Sequence, residues 1–161
     1  MAFDTPNGTR GAHQPARNRF ERWANRRFAE RIRRKGDRSG TKLALVTIGR
    51  RSGLERVTPV RWFPANGGGA RYIVASANGA ARNPAWYYNI AEHPDRVRIE
   101  FAGRRIEVTA EQLHGEERAA AWKQITAAAH GFSKYEQVTD REIPVIKLTP
   151  RTDGGAARSV G

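Results

Sequence analysis

Residues 42–63 read KLALVTIGRRSGLERVTPVRWF, two apolar and β-branched runs joined by a basic turn. Residues 42–48 and 55–63 have the composition of strands, and the Ser52-Gly53 turn between them predicts an antiparallel pair. A third run, RYIVAS at 71–76, follows Gly67-Gly68-Gly69, which reads as a flexible hairpin turn because it lacks the Lys-Ser/Thr of a phosphate loop. Three strands therefore precede the next helix. Pro59 has no N–H to give a central ladder, which predicts an edge or bulged position for it.

Further along, Asn83-Pro84 predicts a helix start, with Asn83 as N-cap and Pro84 as the first residue of PAWYYNIAEH. Residues 97–101 (VRIEF) and 105–109 (RIEVT) alternate around Ala102-Gly103-Arg104, a hairpin by pattern and by turn. Residues 116–129 form a strong helix with acids in its first turn, and 144–148 (PVIKL) a last strand. About six strands and three helices make one α+β domain, a size that 161 residues can fill. The polar, Gly-rich ends, 1–15 and 151–161, are expected to be disordered.

The net charge of +13 is concentrated upstream of this body. Residues 16–35 carry nine basic side chains against Glu21 and Glu30, together with Phe20, Ala24, Phe28 and Ile32 at i+4 spacing and Trp23 beside them. This is a basic amphipathic helix. It can either cover one side of the domain or lie on anionic lipid with its aromatics at the interface. No nucleic-acid motif accompanies the charge, so no nucleic-acid partner is expected. With no long apolar run and no apolar signal core at the start, the expected location is cytoplasmic, peripheral on the inner face of the cell membrane if the helix binds lipid. The chain has no cysteine, its four histidines are scattered, and no metal site is expected. The spacing around Ser52 is not that of a nucleophile elbow. Monomer and homodimer both remain open.

The basic turn is then the chemical centre of the sequence. Arg50, Arg51, Ser52 and Arg56 can offer guanidinium forks and backbone N–H groups to phosphate or carboxylate. The helix at Pro84 offers a second anion site at its N-terminus, with Trp86 and Tyr87 in its first turn. A flat aromatic ligand with a phosphate tail uses both. Core packing competes as the explanation of Trp86 and Tyr88.

GRRSGLERVTP, the serine in IVASANGAARNPAWYYNI, EHPDRVRIEF, the EER…W helix and TDREIPVIKLTP, in that order, resemble the deazaflavin-dependent nitroreductase family over residues 42–150. The resemblance implies a split β-barrel binding coenzyme F420, an 8-hydroxy-5-deazaflavin with a phosphate and a polyglutamate tail. It implies that Arg50, Arg51, Ser52 and Arg56 face the phosphate and tail, and that Val57, Thr58, Pro59 and Val60 line the ribityl chain and ring. Pro84, Ala85, Trp86, Tyr87 and Asn89 would close the other side, with Ser76 near the reactive face and Ala77 beside it. Ala77 stands where family members often have lysine. Phe132 and Ala129 stand where nitroimidazole-reducing members have tyrosines, and a phenyl ring cannot donate a hydrogen bond. Tyr135 either serves as the donor instead or caps the pocket. The implied activity is hydride transfer from reduced F420 to a small-molecule acceptor, a quinone, an activated alkene or a nitroaromatic. The alternatives are a split-barrel reductase using flavin mononucleotide and a non-catalytic binder of coenzyme or lipid. The polybasic turn favours the coenzyme with the polyanionic tail.

Overall fold

The computed structural model describes residues 3–12 and 19–151. The strand pair of residues 42–63 forms as β1 (Lys42–Ile48) and β2 (Glu55–Pro64), antiparallel in unbroken register from Lys42 opposite Arg61 to Ile48 opposite Glu55. With β3 (Arg71–Val74), β4 (Val97–Phe101), β5 (Arg104–Gln112) and β6 (Val145–Pro150) it closes an antiparallel barrel in the order β1-β2-β3-β6-β5-β4. Leu43, Leu45, Ile73, Val97, Ile99, Val108, Ile146 and Leu148 fill it, each contributing about 1.5–3 kcal/mol by burial. Helix α2 (Ala85–Glu92) adds Tyr87 and Ile90, three residues apart and so on one helix face, to the same core. A second cluster forms where α3 (Gly115–Ala128) and α4 (Gly131–Val138) pack Trp122, Ile125 and Phe132 with Phe63, Ile143 and Val145.

The β4–β5 hairpin turns on Ala102 (φ 50°) and Gly103 (φ 77°), two left-handed residues in succession, which matches the right-handed twist of the strands. Its N–H groups donate to two carbonyls of the last turn of helix α1 (Arg19–Lys35), Ile32 O (3.0 Å), which also accepts from Gly36 N (2.9 Å), and Arg33 O (2.7 Å). Gly36 (φ 77°) closes that helix in the left-handed conformation glycine tolerates. Arg33 also meets Glu100 at 3.1 Å, and Arg98 links Glu100 (2.9 Å) to Glu55. Burial works to raise the pKa of Glu100, but hydrogen bonds from Arg33 and Arg98 outweigh it and hold the carboxyl below its ordinary range.

Several expectations need correction. Residues 3–12, expected to be disordered, form a strap along the barrel: Thr5 N donates to Tyr87 Oη (3.1 Å), Gly8 N to Ala81 O (2.8 Å) and Ala12 N to Gly79 O (2.9 Å). Arg151 is held too, its N–H on Glu107 O. The remaining residues of both ends, and 16–18 of the expected basic helix, lie outside the described residues. In α1 the expected stripe splits: Ile32 is buried, Ala24 and Phe28 are half-buried, and Phe20 is 70% and Trp23 51% exposed, while Ala29, outside the stripe, is buried. Only the C-terminal half of the helix covers the barrel. For Pro59 the edge reading holds and the bulge does not: it sits opposite Ala44 in unbroken register, in the half of β2 that has β1 as its one strand neighbour. Asn83 makes no cap bond; Pro84 is the N-cap, and Asn83 instead bonds to Thr5 and Arg141. Helix α4 was not expected, because GFSKYEQV begins with glycine and has no sustained apolar period.

Candidate functional site

A cleft opens where β2 runs on past β3. The two strands pair only at Trp62, Phe63 and Pro64, after which β3 ends at Val74 and the chain turns away through 75–83. The Pro59 side of β2 is left facing that loop, and proline gives it one donor fewer to satisfy. Two adjoining cavities occupy the gap, of about 1020 and 770 Å³. The larger reaches the top of the usual range for ligand pockets, roughly 300–1,000 Å³.

Thr58, Arg50, Ala85 and Trp86 line both cavities. Pro59, Val60, Ser76, Ala77, Pro84 and Phe132 line the wider one. Arg51, Ser52, Arg56, Val57 and Asn89 line the narrower. Tyr87 lines neither; at 1% exposure it points into the core, where its hydroxyl donates to Gln112 Oε1 (2.7 Å) and burial raises its pKa. Tyr135 also lines neither. Phe132 stands edge-on to both Phe63 (5.7 Å) and Tyr135 (5.6 Å), which puts Tyr135 behind Phe132, and the Tyr135 backbone lies against Gly79. Tyr135 thus contributes no lining atom to either cavity.

The turn between β1 and β2 is closed by Gly53 N on Gly49 O and Gly49 N on Leu54 O, both 2.8 Å. Within it Ser52 Oγ accepts from Leu54 N (3.2 Å) and Arg56 Nη2 (3.4 Å). Asn89 fastens the turn to α2, accepting from Arg50 N (3.1 Å) and donating to Thr47 Oγ1 (3.2 Å). Arg22, Asn25 and Arg26 of α1 form the opposite wall, a contribution the charge run contained but its period alone did not aim. Arg22, Arg26, Arg51 and Arg56 have no ion-pair partner among the described residues. The two acids beside them, Glu30 and Glu55, are engaged by Arg33 and Arg98. The narrower cavity therefore carries a surplus of positive charge.

The wider cavity is walled by the strap, whose residues 9–12 line it, and by Arg61, Arg82, Asn83 and Tyr88. Tyr88, not Tyr87, faces the cleft; its hydroxyl donates to Asn7 Oδ1 (2.7 Å) and Arg50 lies over its ring at 4.7 Å. The helical period could have revealed this, since Tyr87 pairs with Ile90 on the core face.

A family model, F420H(2)-dependent quinone reductase, matches residues 18–150. An F420H(2)-dependent quinone reductase of Mycobacterium tuberculosis (strain ATCC 25618 / H37Rv) is 37% identical over 112 residues, 68% of this chain and 73% of that protein. The structure of an F420-H2 dependent reductase superposes with a TM-score of 0.60 at 32% identity, covering 67% of this chain and 93% of the other. A chain described as a domain-swapped dimer superposes with a TM-score of 0.61 at 31% identity, covering 79% and 97%.

Proposed function

The chain belongs to the F420H(2)-dependent quinone reductase family, and we propose that its two-part cleft seats the coenzyme lengthwise, with the ring in the wider cavity and the anionic tail in the narrower. It is an oxidoreductase whose cofactor is F420 and whose acceptor is a quinone. The observation that carries the seating is the narrower cavity, where four arginines without acidic partners converge on the Ser52 turn. A phosphate followed by several carboxylates fits that donor set, whereas the single phosphate of flavin mononucleotide would leave most of it without a ligand.

Reduced F420 supplies a hydride, and the quinone takes it with one proton from water to become a quinol. The residues of this chain position and shield. Arg51, Arg56, Arg22 and Arg26 hold the tail, and Trp86 and Pro59 bound the ring site. Ser76 presents a hydroxyl at the cavity wall, and Phe132 closes that wall against water. Phe132 brings no donor of its own, which suits a quinone, whose oxygens can be protonated by solvent, better than a nitro group.

Exposed Phe20 and Trp23, with Arg27 over the Trp23 ring at 5.4 Å, support a membrane-surface role for the exposed face at the N-terminal end of α1. Among the described residues no helix is long and apolar enough to cross a membrane. We place the enzyme in the cytoplasm, resting on anionic lipid where apolar quinones reside.

The test is binding of F420 by Arg51→Ala, Arg56→Ala and their double variant, read by tryptophan quenching. Each charge-assisted contact is worth roughly 1.5–3 kcal/mol, and less as salt rises, because these side chains are exposed. The double variant should bind the long-tailed coenzyme at least tenfold more weakly, and a form without its glutamates should be affected less. Unchanged affinity for the long-tailed form would remove the tail site from this cavity.

A further inference from the structure

Behind the wall of the wider cavity lies a buried cation that no anion of the described residues pairs with. Arg141, 4% exposed, donates from Nε to Ala80 O (3.1 Å), from Nη1 to Ala75 O (3.0 Å) and Asn83 Oδ1, and from Nη2 to Ser76 O (2.9 Å). Every one of these acceptors is neutral. Asp140 turns outward to Thr9 and Arg10, and Glu142 faces Arg118 at 3.0 Å. Burial lowers the guanidinium's pKa, yet an arginine stays protonated at any working pH. Burying a charge against carbonyls alone is costly, and a neutral amide could have tied the same backbone.

What Arg141 ties is the turn on which Ser76 sits. Ala77 (φ 46°) and Asn78 (φ 55°) are consecutive non-glycine residues in the left-handed region, a strained arrangement that persists only when its surroundings enforce it. Ser76, Asn78, Ala80 and Asn83 all line the wider cavity. Arg141 thus stands one backbone layer from whatever is bound there.

We infer that Arg141 is a positioning residue for the coenzyme ring: it clamps the strained Ser76 turn into the cavity wall, and its unmatched charge favours the anionic, ring-deprotonated form of the bound coenzyme. This rests on the coenzyme reading above. The other charged or titratable groups facing the cavity are Arg10, Arg50, Arg61, Arg82 and Tyr88, and no carboxylate of the described residues lines it. All four of those arginines, Arg10, Arg50, Arg61 and Arg82, are exposed, so salt screens them; Arg141 is buried, and salt does not.

The experiment titrates the ring hydroxyl of oxidised F420 bound to the full chain, followed by the coenzyme's own absorbance, in low salt and in about 1 M salt, where the screening length falls to roughly 3 Å. The bound hydroxyl should ionise at lower pH than in free coenzyme, and should still do so in high salt. Arg141→Gln should move that titration up by about one pH unit, a shift that loss of a purely structural peg would not produce. Asn83→Asp leaves the arginine in place but sets a carboxylate against Nη1, and should move the titration the same way; it decides the matter if Arg141→Gln does not fold. Either variant binding coenzyme with an unmoved titration overturns the role of Arg141, as does a wild-type titration in high salt no lower than that of free coenzyme. A wild-type chain that binds no F420 overturns the coenzyme reading itself.

Discussion

Tyr87 and Tyr88 are neighbours in sequence with opposite surroundings, and substitution should separate them. Tyr87→Phe removes a hydroxyl that donates to Gln112 and accepts from Thr5, leaving a buried amide oxygen without its donor. Such a loss costs about 1–3 kcal/mol. Thermal unfolding should register it, with coenzyme affinity unchanged; a selective loss of affinity would return Tyr87 to the binding site. Phe132 poses the converse case. Its ring lines the cavity, and Phe132→Tyr would add a hydroxyl there. A preorganised donor to a developing oxyanion is worth roughly 10²- to 10³-fold in rate. Single-turnover oxidation of the reduced coenzyme should therefore speed up with a nitroimidazole acceptor and change little with a quinone. Efficient nitroimidazole reduction by the wild type, with no gain in Phe132→Tyr, would show that another group orients the acceptor. The residue types at both positions were plain from the sequence. Which way each ring points was not, because aromatic composition suits a core and a ligand wall equally well.

The strap and the first helix each join the site by one end of their length. Asp140 holds the strap: its carboxylate accepts from Thr9 Oγ1, from Thr9 N (2.8 Å) and from Arg10 N (3.1 Å), and these bonds, the Thr9 hydroxyl first, pull its pKa down to about 2. A carboxyl depressed in the folded state contributes stability above its unfolded pKa, near 3.9, and loses it as pH falls through the folded value. Amide protection of Thr9 and Arg10 should therefore weaken between about pH 4 and pH 2, and Asp140→Asn should weaken it at neutral pH. Protection that is indifferent to both would mean that the hydrogen bonds at Gly8 and Ala12 suffice. Helix α1 is anchored at its C-terminal half by the β4–β5 turn and by Arg33, so Phe20→Ser with Trp23→Ser should leave the fold intact. Co-sedimentation with anionic vesicles should fall in that variant and in high salt; equal sedimentation would leave α1 as a wall of the tail cavity and no more. The strap could not be read from sequence, because it takes its structure from distant partners and its own composition is that of a loop.

At the scale of the molecule, the barrel was legible because its six strands announce themselves locally, by β-branched runs and by turns such as Ala102-Gly103. Their closure into a ring depends on β6, which pairs with β3 on one side and β5 on the other. The cleft was half legible. Its arginine turn lies in one continuous stretch, whereas the walls from α1, residues 9–12 and Arg141 meet it only in three dimensions. That separation in sequence also orders events in time. Thr9 and Asp140 lie 131 residues apart, so during synthesis the hydrogen bonds of Thr9 and Arg10 cannot form until Asp140 has left the ribosome, although the strap's other partners, Gly79, Ala81 and Tyr87, emerge earlier. Contacts of such long range are slow to form. A nascent chain arrested before residue 140 therefore lacks both the seam that closes the barrel and the Asp140 clip on the strap, and coenzyme capture has to wait until residues 140–150 have been made.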